Sequence, residues 1–499
     1  MNEPNFFGKT TRTTFIFIVL AELLSFALYW LKDVIDLRLY FFILLFFSLI
    51  ILGIFRLKWL IFIAIIELII GSKGHLFSLE IFDFVVSIRL AIFLSVIICW
   101  LLTTNPIKLV SSVVNVLKQF KCIFYLGIVI AFALFFAFFR GLPLENIFFD
   151  INGWLFFLYL FPWFYVLADK KDIEAIIQIF SACLITLISK TLIFLYVFSH
   201  QLPLMHDLYG WGRRTLWGEF TILDNGFYRI FSQAHIYVII AFFIFLAIAA
   251  GNKISNRKTK LYLWLMMSAL SSVIFIGLSR SFWVGLAVGL LIWLFFAAYL
   301  IKLSSKKIII SILSVGATFA VGFALIIAVA DFPFPKPAIK FEASDLINER
   351  LKEDSAISSR WSQLPALIKA IAKHPVIGSG WGSKITYQSK DPRIKTLANP
   401  AGQYTTFTFE WGYLDMILKF GLAGLMVYFY LIYSLIKKFV VFIKKNAEQH
   451  SAVLSLGLML GLAAILVVHF FSPYLNHPLG IGYLLLLFIF SRFNEESRQ

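Results

Sequence analysis

Residues 37–71 read LRLYFFILLFFSLIILGIFRLKWLIFIAIIELIIG. Two apolar runs, 37–55 and 58–71, stand on either side of Arg56 and Lys58. About twenty apolar residues in a helix cross the hydrocarbon core of a bilayer. Each run therefore reads as one pass, the second a short one, with a basic turn between them. Outward from this stretch the pattern recurs at 13–30, 84–102, 120–139, 151–168, 174–199, 234–250, 261–279, 282–301, 307–330, 409–436, 451–471 and 476–491. Fourteen spans are expected, the one at 151–168 interrupted by Pro162.

Composition agrees. Of 499 residues, 61% are hydrophobic and 14% charged, and the mean hydropathy is +0.88. Soluble chains run at about 25% charged residues, so a soluble enzyme and a disordered protein are both excluded. The expected architecture is an all-α polytopic membrane protein with about fourteen transmembrane helices, residues 1–499 forming a single membrane domain. The net charge of +17 is read as lysine and arginine gathered on cytoplasmic loops rather than as a nucleic-acid surface. With the N-terminus inside, every even-numbered connection is basic: Arg56 and Lys58; Lys108, Lys118 and Lys121; Lys170 and Lys171; Lys253, Arg257, Lys258 and Lys260; Lys302, Lys306 and Lys307; Lys437, Lys438, Lys444 and Lys445. Both termini then lie in the cytoplasm, and no cleaved signal peptide is expected. Cys99, Cys122 and Cys183 have neither a disulfide pattern nor metal-ligand spacing.

Two connections on the opposite, extracytoplasmic side are too long to be simple turns, and such loops usually carry function. Residues 200–233 read as a hairpin, with Arg213–Leu223 outgoing, Asp224-Asn225-Gly226 as the turn and Phe227–Phe231 returning. Residues 331–408 open with Pro333, Pro335 and Pro337. A charged stretch, Ser344–Asp354, follows. Next comes an amphipathic helix, Ser359–Lys373, with Trp361, Leu364, Leu367, Ile368 and Ile371 on one face; it ends at His374-Pro375. That helix reads either as a lid on the membrane surface or as part of a substrate site. Gly378-Ser379-Gly380-Trp381-Gly382 reads as a backbone turn, because no strand precedes it and no Gly-Lys-Ser/Thr follows.

Charges at membrane depth are costly and mark function unless they snorkel or pair internally. Glu67, Arg89 and Lys190 fall in the outer halves of their spans, Arg280 at the outer end of its own, and Glu22 near mid-membrane. The first four together suggest a polar site near the outer leaflet, and Glu22 is left without a role. Arginines there suit an anionic head group, since guanidinium forks match phosphate oxygens. A lipid-linked pyrophosphate fits that depth. Zinc chemistry is not expected, because the histidines lack paired spacing.

The stretch Gly277-Leu278-Ser279-Arg280-Ser281-Phe282-Trp283-Val284-Gly285-Leu286 resembles the Ser-Arg motif of the O-antigen ligase and polymerase superfamily. Tyr228-Arg229-Ile230-Phe231 resembles its upstream arginine motif. Arg360 through Lys373-His374-Pro375-Val376-Ile377-Gly378-Ser379-Gly380-Trp381-Gly382 resembles its outer-loop pattern. Glu410-Trp411-Gly412-Tyr413-Leu414 through Lys419-Phe420-Gly421-Leu422-Ala423-Gly424-Leu425 resembles its last block. The likeness covers roughly residues 200–436. It implies an inverting glycosyltransferase, needing no metal or other cofactor, that moves a polyprenyl-pyrophosphate-linked glycan onto a glycan or a lipid core. Such enzymes serve surface polysaccharide or lipopolysaccharide synthesis in the cytoplasmic membrane. By the same resemblance Arg229 and Arg280 would hold the pyrophosphate; Arg213, Arg214, Arg360, His374, Lys190 and Arg89 are further candidate substrate contacts read from their place near the outer face. Where ligases of the family carry a histidine base, this chain has Glu410. That carboxylate reads as base, as binder of the acceptor, or as an interface residue, with His374 as the fallback base. The missing histidine leans toward a polymerase. The expected partners are the lipid-linked donor, the acceptor and membrane lipids, without nucleic acid, and the chain is expected to be a monomer or weak oligomer.

Two other readings stand beside this one. A metal-dependent membrane glycosyltransferase would use Asp33 and Asp36 in the first outer loop. A flippase or exporter of lipid-linked oligosaccharide would use a basic cavity around Arg89 and Lys190.

Overall fold

The computed structural model describes residues 5–32, 34–81, 84–223, 226–251, 257–299, 303–338, 355–389, 394, 396, 399–446 and 449–496. Hydrocarbon offers the backbone no hydrogen-bond partners, so apolar spans satisfy their own amides as helices. The helices are α1 (Lys9–Leu31), α2 (Arg38–Ile70), α3 (Ile88–Thr103), α4 (Pro106–Gln119), α5 (Lys121–Phe139), α6 (Leu144–Leu155), α7 (Leu160–Val166), α8 (Lys170–Ser199) and α9 (Met205–Arg214). They continue with α10 (Ile236–Ala250), α11 (Arg257–Ile276), α12 (Arg280–Tyr299), α13 (Ser305–Ala330), α14 (Ser355–Ile371), α15 (Gly412–Lys445), α16 (His450–Phe471) and α17 (Pro478–Glu496). Among the described residues eleven helical segments are long and apolar enough to cross a membrane, α6 and α7 counting together as one. The chain is a multi-pass, all-α membrane protein.

The stretch that opened the sequence reading forms α2, which breaks at Arg56 (φ −147°, ψ 61°). The break is sharp: a Cβ added at Gly53 would lie 2.7 Å from Leu60 Cδ2. Seven residues of unbroken helix rise about 10 Å, so this contact requires the chain to turn back on itself.

Burial sorts the bundle. Every residue of α10 from Ile236 to Ile248 is enclosed, as an all-round apolar helix should be when it lies at the centre of a large body. In α13 only Val315, Thr318, Gly322, Ile326 and Ala330 are buried. That three-to-four-residue stripe faces the bundle, while Ile309, Ile310 and Leu313 are exposed.

Three antiparallel hairpins decorate the connections: Ser78–Ile81 with Phe84–Ser87 (β1, β2), Glu219–Ile222 with Tyr228–Phe231 (β3, β4) and Ile385–Gln388 with Gln403–Thr406 (β5, β6). They share one end of the bundle, the loop face. There Arg214 Nη2 donates to Glu80 Oε1 at 3.3 Å and Tyr474 Oη to the Gln233 carbonyl at 3.2 Å.

The expected hairpin of 200–233 is present but shorter. Before it, Met205–Arg214 winds into α9, because Trp211 buries itself against Phe26 and Phe194. The helix ends on Arg213 and Arg214, which suit its negative end. Asp224-Asn225, expected as the turn, and the charged stretch Ser344–Asp354 lie outside the described residues.

Candidate active site

The turn between α11 and α12 is built around a residue that resists it. Leu278 has φ +44°, a left-handed conformation uncommon for a side chain with a Cβ, and such outliers cluster at functional sites. After it the Ser279 carbonyl accepts the amides of Phe282 and Trp283, each at 3.1 Å, and Arg280 opens α12. The positive end of a helix dipole favours anions. Arg229 on β4 donates its Nε–H to the Gly277 carbonyl at 3.0 Å and lies 5.1 Å from the Phe231 ring. The two arginines singled out from the sequence therefore converge on one turn. Beneath it, buried His235 accepts the Ser232 amide at Nδ1 (3.3 Å). This leaves its Nε2 proton to be donated to Thr191 Oγ1 at 3.1 Å.

Glu410 is exposed and pairs with Arg360 Nε. Arg360 rides on α14, whose fully enclosed Leu367 packs with Ile385, Phe409, Trp411 and Leu418. Leu364 and Ile371 join that contact. The expected stripe is narrower than read: Ile368 is 53% exposed and Trp361 58%, the latter edging onto Trp411 at 5.4 Å.

Both groups border the end of α16. Ser281 Oγ lies 3.2 Å from Ser472 Oγ, and the Trp411 ring meets Phe470 and Phe471 at 5.7 and 6.0 Å. Arg280 and Glu410 thus belong to chain segments flanking residues 470–472.

The glycine segment after α14 is a backbone device, as its sequence implied. In α15 the helix is broken at Gly421 (φ +71°, ψ −179°). The freed groups bond to the loop. Leu418 and Lys419 carbonyls accept from Ser379 and Gly380 at 2.7 and 2.9 Å, and Leu422 and Ala423 amides donate to Pro375 and Val376 at 2.9 and 3.1 Å. A Cβ at Gly421 would fall 2.0 Å from the Val376 carbonyl oxygen, so only glycine fits. Arg140 Nη1 adds a bond to the Gly378 carbonyl at 3.1 Å. His374 is exposed and accepts the Gly378 amide on its carbonyl at 3.0 Å.

The remaining candidates stand elsewhere. Lys190 is buried, bonded to Glu22 at 2.6 Å, with its ammonium 4.3 Å from both the Trp211 and Trp217 rings. Arg89 is buried against Glu67, its Nε reaching the two carboxylate oxygens at 3.0 and 2.9 Å. Both cations have internal counter-ions, and so does Glu22, for which the sequence offered no role. Arg213 and Arg214 are exposed at the end of α9. Asp33 lies outside the described residues. Asp36 holds Arg38 in a fork at 2.7 and 2.5 Å, which keeps its carboxyl at about 2, below the usual range.

Sequence reasoning missed a buried cluster joining α6, α15 and the loop face. Lys419 bonds Asp150 and the Phe407 carbonyl, and lies 3.5 Å from Asp415. Asn476 Nδ2 donates to Asp415 at 2.7 Å. Its signal was an Asp–Lys pair four apart inside an apolar run.

Residues 261–429 match the family model of O-antigen ligase (Wzy_C). This supports the resemblance to the O-antigen ligase and polymerase superfamily read from the motifs. The matched span contains Arg280, Arg360, His374 and Glu410, whereas Arg229 lies before it. No curated protein matches the chain.

Proposed function

We propose that this protein is an inverting, metal-independent glycosyltransferase of the cytoplasmic membrane, moving a glycan from a polyprenyl-pyrophosphate donor to a sugar hydroxyl. The observation that carries this reading is the Arg229–Gly277 bond, which ties one guanidinium to the strained turn opening on the other. Two permanent cations beside a helix start suit a pyrophosphate leaving group. Counting α2 as two passes and adding the two shorter apolar helices brings the spans to fourteen. An even count puts both termini on one side, and the basic even-numbered connections favour the cytoplasm for that side, which would leave the loop face outside.

In the reaction the acceptor oxygen attacks the anomeric carbon, the bond from that carbon to the pyrophosphate oxygen breaks, and the lipid keeps the pyrophosphate. Arg229 and Arg280 stabilise the charge that develops on it. Glu410 takes the hydroxyl proton, with Arg360 orienting its carboxylate. Arg213 and Arg214, exposed on the same face, contribute sugar or pyrophosphate contacts. The carboxylate in place of a histidine favours glycan extension, hence a polymerase, over transfer to a lipid core.

The test uses purified protein in nanodiscs with polyprenyl-pyrophosphate oligosaccharide, with and without EDTA. Release of lipid pyrophosphate should resist EDTA and fall at least about 100-fold in Arg280→Ala, as for loss of one electrostatic contact to a transition state. Chain growth without an added acceptor marks a polymerase. Intact donor crossing liposome membranes without cleavage would refute the enzyme and make the chain an exporter.

A further inference from the structure

Lys419 is only 1% exposed. An ammonium has three protons to donate and accepts none. Here three oxygens surround Nζ, each from a different segment: Asp150 Oδ2 on α6, the Phe407 carbonyl at 2.7 Å just past β6, and Asp415 Oδ1 at 3.5 Å in the first turn of α15. Asp150 Oδ2 also accepts the Gly382 amide at 2.6 Å, and the Lys419 carbonyl accepts the Gly380 amide. The junction therefore reaches both loop strands, 380–382 and 407, across the helix break. Apolar side chains of similar volume would hold α6 against α15 as well or better, because burying an ion pair is costly. They could not grip a backbone carbonyl. What the ion pair adds is a fixed position for the segment beginning at Phe407, three residues before Glu410.

Resting on the reading of Glu410 as base, we propose that Lys419, held by Asp150, is a positioning residue for the acceptor side of the reaction. It anchors residues 407–411 so that the Glu410 carboxylate stands beside the end of α16, across from the Arg280 turn. A shift of about 1 Å at a reacting group lowers rates about 100-fold. The effect belongs to the acceptor step, since Arg229 and Arg280 lie on other segments.

The experiment compares the wild type, Lys419→Met, the triple variant Lys419→Met/Asp150→Asn/Asp415→Asn, and Glu410→Gln. Thermal stability, kcat, donor KM and hydrogen exchange of peptides covering 403–411 are measured. Lys419→Met should lose both stability and turnover. The triple variant neutralises both carboxylates that face Nζ and has no unpaired buried charge, so stability should return. Its kcat should stay 10- to 100-fold down, its donor KM within about twofold of wild type, and exchange at 403–411 raised. Recovery of kcat together with stability would show a merely structural pair and overturn the inference. Wild-type exchange at 403–411 in both Lys419 variants would overturn it whatever the activity. Wild-type turnover in Glu410→Gln would instead refute the reading of Glu410, and the exchange result tells the two failures apart.

Discussion

Replacing Gly421 by alanine tests the loop–helix clamp without any assumption about chemistry. At φ +71° and ψ −179° a residue with a Cβ is strained by about 1–3 kcal/mol. The new methyl would also sit 2.0 Å from the Val376 oxygen. The loop must then withdraw, loosening the Leu422–Pro375 and Ala423–Val376 bonds, each worth about 1 kcal/mol. The expected loss is about 3–5 kcal/mol. Unfolding entropy of about 2 cal/mol/K per residue, over 499 residues, makes this a fall of roughly 3–5 °C in melting temperature. The assay is thermal unfolding in detergent, with limited proteolysis of residues 372–411 below the transition. Gly127→Ala in α5 is the control, since a Cβ there meets nothing within 4 Å and alanine favours helix by about 1 kcal/mol. Equal melting of Gly421→Ala and wild type, with the loop cut no faster, would refute the clamp.

Three other outcomes are expected. Glu67→Gln leaves buried Arg89 without its carboxylate and should cost about 3–5 kcal/mol, most of it recovered in Glu67→Leu/Arg89→Leu; thermal unfolding of the three proteins decides. If Arg89 serves only that pair, turnover of the double variant should stay within about threefold of wild type in the lipid-pyrophosphate release assay. Acid should also destabilise the fold through His75, which burial and then the charges of Arg89 and Lys73 hold at about 4 instead of 6.5. As pH falls through 6.5 the unfolded chain takes a proton that the folded one refuses. Stability present at neutral pH is therefore lost between 6.5 and 4, by about 2 kcal/mol at pH 5. His75→Gln should flatten that part of the melting-temperature profile.

What could be read from residues alone followed a physical division. Hydropathy is local, so the turn at Arg56 and Lys58 and the span at 307–330 that forms α13 were legible. So was the Arg280 turn, whose motif is contiguous and whose partner Arg229 sits in another short motif. Ion pairs were not legible. Glu22 with Lys190 and Asp150 with Lys419 join residues 168 and 269 positions apart, and nothing in either neighbourhood says which charge meets which. The same limit made Lys190 and Arg89 look like substrate contacts, since a buried charge whose counter-ion lies on another helix is indistinguishable in sequence from one awaiting a ligand. The break at Gly421 was hidden for a related reason. Gly421-Leu422-Ala423-Gly424 fits an ordinary packed helix until the loop at 375–380 is placed beside it.

The clamp also sets an order of assembly. Chains are made from the N-terminus, so residues 375–380 leave the ribosome before α15 exists to receive them. The first piece of α15, residues 412–420, rises only about 13 Å, well short of a bilayer's hydrocarbon thickness of about 30 Å. It cannot be held as a transmembrane segment by its own hydrophobicity, and its loose carbonyls have no partners until the loop arrives. Loop and half-helix are each incomplete when synthesised, and they mature together, after the rest of α15 has been inserted. A block late in synthesis should therefore leave a long unfastened loop, and proteases or chaperones on that side of the membrane would meet it as an unfinished protein.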